Sequence, residues 1–269
     1  MSIRIGIGLD NFASAGIDAD AEAFFARVTA AGGTLSATER TAVDKLVKDM
    51  KAANVWNAMK AVYPMVGASA AACAQNLKSS SFTGTFNGGW TYASTGVTPN
   101  GTNAFMNTGL IPSVDFSATS NSTSIYIRTQ SINSGAQFGT QSVAGPTTRN
   151  WLFVRTDATN YHEIRNNTSV TTTATTPATS QGFWINNRPN ITTQKLMRNG
   201  GTLISTTTAQ VSFSAQPIYL GAMNSSGTAN EFTNRQSAFL SIGDGLSDTQ
   251  ASDFYTAVQA FQTTLSRQV

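Results

Sequence analysis

Cysteine is almost missing from this chain: Cys73 stands alone in 269 residues. One cysteine excludes an intrachain disulfide and any cysteine-rich zinc site. Set between Ala70 and Ala74, it reads as a small buried residue rather than a nucleophile. Histidine is as scarce, so a histidine-based triad has only His162 to build on. Neither a G-x-S-x-G elbow nor a cysteine partner accompanies it, and a strand histidine with a hydrogen-bonded ring is the simpler reading. Metal-ligand clusters and a calcium-loop pattern are missing too, so no metal or other cofactor is expected.

Charge is thin. Asp, Glu, Lys and Arg make up 12% of the residues, against roughly 25% in ordinary soluble domains. The net charge is +3 and the pI about 9.1. A phosphate-tracking surface needs clustered cations, whereas Arg128, Arg149, Arg155, Arg165, Arg188, Lys195 and Arg198 are each isolated in sequence; nucleic acid is not an expected partner. Acids are scarcer still in the middle of the chain, where residues 61–230 hold only Asp115, Asp157 and Glu163. Glycoside hydrolysis requires two carboxyl groups about 5 to 10 Å apart. Asp157 and Glu163 could face each other across a hairpin, but Asp157 is more simply a turn residue, and no enzyme is expected.

Long apolar runs are also lacking. The best candidate, Ala61 to Ala74, is broken by Pro64 and Gly67, short of the ~18 residues of a membrane helix. The opening MSIRIGIGLDNF has no continuous apolar core of the signal-peptide kind, which leads to the expectation of synthesis in a cytoplasm and no membrane partner.

What is present is abundant Thr, Ser, Asn and Gly arranged around short apolar runs. Ile3, Ile5, Ile7 and Leu9 alternate with Ser2, Arg4, Gly6 and Gly8, the period of a strand with one apolar face. Such a strand either pairs within its own chain or adds to the sheet edge of a neighbour. Asp18 or Asp20 then caps a helix bearing Phe24, Phe25 and Val28 that ends at Gly32-Gly33. Ser36 and Glu39 form a capping box before Val43, Leu46, Val47 and Met50 at helical spacing. Val55 to Tyr63 reads as a third short helix stopped before Pro64.

From Ser79 the period changes. Phe86 to Pro112, FNGGWTYASTGVTPNGTNAFMNTGLIP, alternates aromatic and apolar runs with turn residues. Strands are predicted at 89–92, 104–107, 124–130, 136–140, 151–156, 161–165, 182–185, 194–198, 203–205, 217–221 and 236–242, with Asn199-Gly200 turning a hairpin. The low-complexity run Val170 to Ser180 is a loop or a Thr-rich edge. Ser247 to Gln250 caps a last helix carrying Phe254, Val258, Phe261 and Leu265. So many short strands in succession mean a sandwich or barrel. Trp90, Trp151, Tyr161 and Trp184 are candidates for a sugar-binding face, set against the ordinary role of strand aromatics as core fillers.

Three stretches resemble a recurrent type of tailed-bacteriophage virion protein. They are the lead-in Asp18 to Gly67 ending NVWNAMKAVYPMVG, the segment FNGGWTYASTGVTPNGTNAFMNTGL, and NRQSAFLSIGDGLSDTQASDFYTAVQAFQTTL from Asn234 to Leu265. Together they span about two fifths of the chain. The resemblance implies a non-enzymatic virion component, with capsid decoration or head fibre favoured over tail, whose strand-rich part is a concanavalin A-like (laminin G-like) jelly roll. It marks no ligand residue.

The combined expectation is a mainly-β jelly-roll sandwich with an N-terminal helical subdomain and a C-terminal helix. Residues 1–17 form an anchoring arm, 18–78 a helical adaptor and 79–269 the sandwich. Ile3, Ile5, Ile7, Leu9 and Phe12 would be the assembly interface with other virion proteins, major capsid or tail proteins, in a homo-oligomer set as a trimer. The alternative is a carbohydrate-binding adhesion module for host or surface glycans.

Overall fold

The computed structural model describes residues 16–269 apart from 118, 143–148, 160, 167 and 169–171. The expected arm residues Ile3, Ile5, Ile7, Leu9 and Phe12 lie outside the described residues. In chain order the elements are α1 (Ala19–Ala30), α2 (Ala37–Ala52), a tight helical turn (Trp56–Ala58), β1 (Met59–Tyr63), α3 (Ala70–Cys73), β2 (Thr85–Asn87), β3 (Trp90–Ala93), β4 (Gly96–Pro99), β5 (Phe105–Asn107) and α4 (Pro112–Asp115). There follow β6 (Asn121–Ile127), β7 (Ala136–Gln141), β8 (Arg149–Phe153), β9 (His162–Asn166), β10 (Thr172–Ala174), β11 (Gly182–Asn190), β12 (Thr193–Arg198) and β13 (Gly201–Thr207). The chain closes with β14 (Tyr219–Leu220), β15 (Met223–Ser225), β16 (Thr228–Asn230), β17 (Ser237–Gly243) and α5 (Asp248–Thr264).

The strands form two sheets packed face to face, a mainly-β jelly-roll sandwich with a C-terminal helix. Sheet A runs β13-β12-β11-β6-β17-β4-β3, with β1 also paired to β17. Sheet B runs β10-β9-β8-β7-β14-β5-β2, with the β15-β16 hairpin joined to β7. The Phe86 to Pro112 stretch moves between them: β2 and β5 pair in sheet B, while β3 and β4 form a hairpin at the edge of sheet A. Gly96 makes that hairpin fit. Its φ of +126° and the Ser237 carbonyl 2.4 Å from where a Cβ would sit admit no side chain there.

Two hydrophobic layers result. Ile125, Ile127, Phe138, Leu152, Ile164, Trp184, Leu196, Leu240 and Ile242 fill the space between the sheets. On the other side of sheet A, Tyr126, Phe183, Ile185, Met197 and Phe239 meet Phe24, Val28, Val43, Leu46, Phe254, Val258 and Phe261 of the helices. Alternation explains the split: β6 sends Ile125 and Ile127 inward and Tyr126 outward under α5. Phe183, Phe239 and Phe254 pack mutually edge-to-face with centroids 5.1 to 6.0 Å apart.

The helices begin as their sequences require. Ser36 with Glu39, and Ser247 with Gln250, each make both bonds of a capping box. Asp18 caps α1 by accepting from the Asp20 N–H. The hairpin at Asn199-Gly200 forms with φ of 49° and 77°.

The expected third helix is corrected. Only Trp56–Ala58 is helical; Met59–Tyr63 is a strand antiparallel to β17, with Tyr63 opposite Leu240. Met59 and Val62 enter the helix-side core while Ala61 and Tyr63 enter the inter-sheet core. A strand buried on both faces has no polar alternation, and a short apolar run of that kind cannot be told from a helix by period. Of the two readings of the Thr-rich run, the edge holds for Thr172–Ala174, which pairs with β9.

Helices and sandwich are tied by polar groups as well. Asn76 accepts from the Val62 and Lys78 N–H groups and donates to the carbonyls of Lys60 and Ser81. Arg267, fully buried beyond α5, donates to the carbonyls of Met65, Pro64 and Ala238 and to Gln262 Oε1. Burial lowers its pKa to about 9.

Candidate functional site

The sandwich has two outer faces, and helices cover one. On sheet B the outward positions Thr85, Asn87, Phe105, Asn107, Arg149, Phe153, Glu163, Arg165 and Thr173 are at least partly exposed, whereas Trp151 and Tyr219 on the same face are buried. This is where the chain presents side chains that the cores do not use.

The densest group on that face centres on Trp151. In β8, Asn150 and Leu152 turn inward, Asn150 accepting from Asn186 of sheet A, so Arg149, Trp151 and Phe153 project outward. Register places Arg165 of β9 opposite Trp151, and Glu163 opposite Phe153. The guanidinium carbons of Arg149 and Arg165 lie over the Trp151 ring at 4.9 and 5.0 Å from its centroid. Trp151 Nε1 donates to Glu163 Oε1 at 3.0 Å, and the Tyr161 hydroxyl donates to Glu163 Oε2 at 3.3 Å. Phe153 packs edge-on against Trp151 at 5.6 Å.

Gly139 of β7 lets this group close. A Cβ there would stand 3.2 Å from Trp151 Cβ and 3.3 Å from Met223 Cγ. Burial, and after it the charge of Arg149, hold the Arg165 pKa below its usual range. Burial and the Glu163 carboxylate raise that of the Tyr161 hydroxyl. The arrangement offers planar donors, a carboxylate acceptor and the partly exposed ring of Phe153, while Trp151 itself is only 6% exposed beneath the two guanidinium groups.

The four aromatic candidates therefore separate. Trp151 and Tyr161 are brought together. Trp184 is corrected: it is fully buried between the sheets, its ring 4.9 Å from His162 and its Nε1 donating to the Ser180 carbonyl, so it cannot meet a ligand. Trp90 is partly exposed, yet it faces inward at the sandwich edge, edge-on to Phe86 at 5.0 Å.

His162 is a core residue. Its Nδ1 accepts from the Arg155 N–H at 2.9 Å and its Nε2 faces the Pro177 carbonyl at 3.0 Å. Those partners fix the neutral Nε2–H tautomer. Asp157 is a turn residue: its Oδ1 accepts from the Thr159 N–H and hydroxyl and the Tyr161 N–H. Cys73 is buried, its thiol pushed up to about 12 by that burial.

Arg149, Arg165 and Phe153 were not marked by the sequence as members of a site. The period-two runs Arg149-x-Trp151-x-Phe153 and Glu163-x-Arg165 were the available signal, but which run lies beside which depends on strand register.

A cleft of about 620 Å³ lies elsewhere, where the start of α2 meets Gly67, Ala68, Ser94 and the end of α5. Its one acidic group is engaged: Glu39 accepts from the Gly67 N–H and closes the capping box with Ser36. Among the described residues no group of three His, Cys, Asp or Glu is placed to hold a metal ion, and no helix is long and apolar enough to cross a membrane.

No protein-family model and no curated protein matches the sequence. Solved structures do match in fold. Domain 4 of AbnA, a GH43 extracellular arabinanase from Geobacillus stearothermophilus in complex with arabinotriose, superposes with a TM-score of 0.50 at 16% identity, covering 73% of this chain and 97% of that domain. The botulinum neurotoxin serotype D binding domain gives 0.47 at 12% identity, over 75% and 52% of the two chains. The Ruminococcus gnavus IT-sialidase CBM40 gives 0.37 at 18% identity, over 48% and 79%. At these identities the likeness concerns fold.

Proposed function

We propose that this chain is a carbohydrate-binding module that engages surface glycans through the outer face of sheet B. The observation that carries the proposal is the Trp151 cluster, with two guanidinium groups, a carboxylate and a neighbouring Phe153 on the sheet face that no helix of the described residues covers. Sugars are recognised by such combinations, their C–H faces resting on aromatic rings and their hydroxyls meeting planar donors and acceptors. The arabinanase domain of like fold was solved with arabinotriose, which supports the reading at the level of architecture. No reaction is proposed: both oxygens of Glu163 are already hydrogen-bonded, and Asp157 closes a turn.

A glycan array probed with the purified chain tests this. Saturable binding is expected, falling about tenfold in Phe153→Ala, on the order of the loss of one aromatic contact, and also in Trp151→Ala, which removes the buried ring that positions both guanidinium groups. Lys45→Ala on the helical side should bind as wild type. Binding that survives both aromatic changes in folded protein would sink the proposal.

A second reading, which rests on the sequence resemblance, is that a virion carries this module. The described chain enters on the helical layer, where Lys48 Nζ donates to the Gly16 carbonyl and Asp18 N–H donates to Asp44. That layer lies across the sandwich from the candidate face. Deleting residues 1–12 should leave a folded sandwich that no longer joins phage particles; normal incorporation would remove this reading.

A further inference from the structure

The Trp151 cluster carries an unbalanced charge, and we infer that its ligand is an acidic saccharide whose carboxylate is taken by Arg149. This inference rests on the glycan-binding reading. Two guanidinium groups lie over one ring with a single carboxylate, Glu163, beside them, so the cluster holds one positive charge in excess. Glu163 belongs to the Arg165 side: its Oε1 is 3.7 Å from Arg165 Nε and also accepts from Trp151. Arg149 has no carboxylate partner among the described residues, and its Nε is buried without an acceptor.

Like charges held near one ring in a partly dry setting repel, and burial raises the cost. A monovalent anion at Arg149 would meet its terminal nitrogens, which are not sealed as its Nε is, offset the repulsion and match the excess of one charge. A carboxylate fits a guanidinium in plane with two parallel hydrogen bonds.

The rest of the ligand has a track to follow. Arg149, Trp151 and Phe153 stand at alternate positions of one strand, a row about 13 Å long at the usual rise per residue. That length suits one or two sugar units, with the acid end at Arg149 and an apolar face on Phe153. A free inorganic anion would have no use for the aromatic end of this row.

The experiment is an oligosaccharide array that pairs each uronate-bearing or otherwise carboxylated sugar with its neutral methyl ester, with sulfated sugars as a further arm. Binding is read at low and high NaCl with the wild-type chain, Arg149→Met and Arg149→Lys. The carboxylated member should bind about tenfold better than its ester, and the preference should shrink in salt as screening lengths shorten. Arg149→Met should bring the ratio to about one, with Arg149→Lys between.

Acid and ester binding alike, or an unchanged ratio in folded Arg149→Met, would overturn the inference while leaving glycan binding standing. Preference for sulfated over carboxylated sugars would overturn the carboxylate assignment. No binding to any member, acidic or neutral, would instead fell the glycan-binding reading itself.

Discussion

The two outer faces of the sandwich are built from the same alternating strands and put to opposite uses. At the centre of sheet A the outward positions Tyr126, Phe183, Ile185, Met197 and Phe239 are all at most 1% exposed beneath helices. On sheet B the outward positions mix Thr, Asn, Arg, Glu and aromatics, and most are partly exposed. The helix-covered face contributes stability by removing apolar area from water, at about 25 cal/mol per Å². The other face buries only a small cluster of Ala136, Trp151 and Met223 and keeps charged groups with Phe105 and Phe153 partly at the surface, where stability alone would not place them. Fold and recognition are thus divided between opposite sides of one molecule.

The sharpest way to break this comparison is to truncate the same residue type on each face. Phe183→Ala removes a ring packed on Phe239 and Phe254 and should cost about 3 to 5 kcal/mol, as core phenylalanines do. Urea denaturation followed by far-ultraviolet circular dichroism reads it. A cost under about 1 kcal/mol would mean that the helices rest on sheet A without a packed core.

Arginine gives the next contrast. Arg267→Met removes the donor to the carbonyls of Pro64 and Met65 and to Gln262 Oε1 and should cost about 3 kcal/mol, since buried acceptors left unpaired are expensive. Arg149→Met on the open face should cost no more than about 0.5 kcal/mol, the usual scale for a surface change. Equal losses in the two variants would show that Arg149 is structural.

Between the faces lies His162, whose pKa is lowered chiefly by burial. The unfolded chain then takes up a proton near pH 6.5, the ordinary histidine value, before the folded one does. Stability is therefore full above that pH and is lost as pH falls from there through the lowered folded pKa. The slope is at most about 1.4 kcal/mol per pH unit for one proton. Protonation would also set Nδ1–H against the Arg155 N–H, which now donates to it. His162→Gln should flatten the slope between pH 7.5 and pH 5 in urea-midpoint measurements. The same slope in both proteins would assign the acid sensitivity to other groups.

Much of this division was readable from residues alone where a local rule operates. Capping boxes at Ser36 and Ser247 fixed two helix starts, and Asn199-Gly200 fixed a hairpin, because each motif satisfies its own backbone. The switch to short strands near Ser79 was the signal for a sandwich, whose sheet A also takes in Met59–Tyr63. What escaped was whatever depends on a partner distant in sequence. Met59–Tyr63 is a strand only because β17 lies beside it. Trp151 and Trp184 look alike as strand tryptophans, yet Trp184 enters the inter-sheet core while Trp151 lies on the outer side of sheet B, buried with Ala136 and Met223. Arg149 and Arg165 read as dilute single charges until register set them over one ring.

The smallest effect tests the open face away from the proposed site. Phe105 projects from β5 and stacks on Tyr219 with centroids 4.4 Å apart and planes 21° from parallel. It is half-buried and belongs to neither hydrophobic core. Phe105→Ala therefore forfeits one aromatic pair and should cost about 1 kcal/mol, against the 3 to 5 expected for Phe183→Ala. Because Phe105 stands across β14 and β7 from Trp151, the variant should keep its glycan preference. A loss near 3 kcal/mol would mean that this end of sheet B is packed as a core is, and an open face would then extend only from β7 to β10.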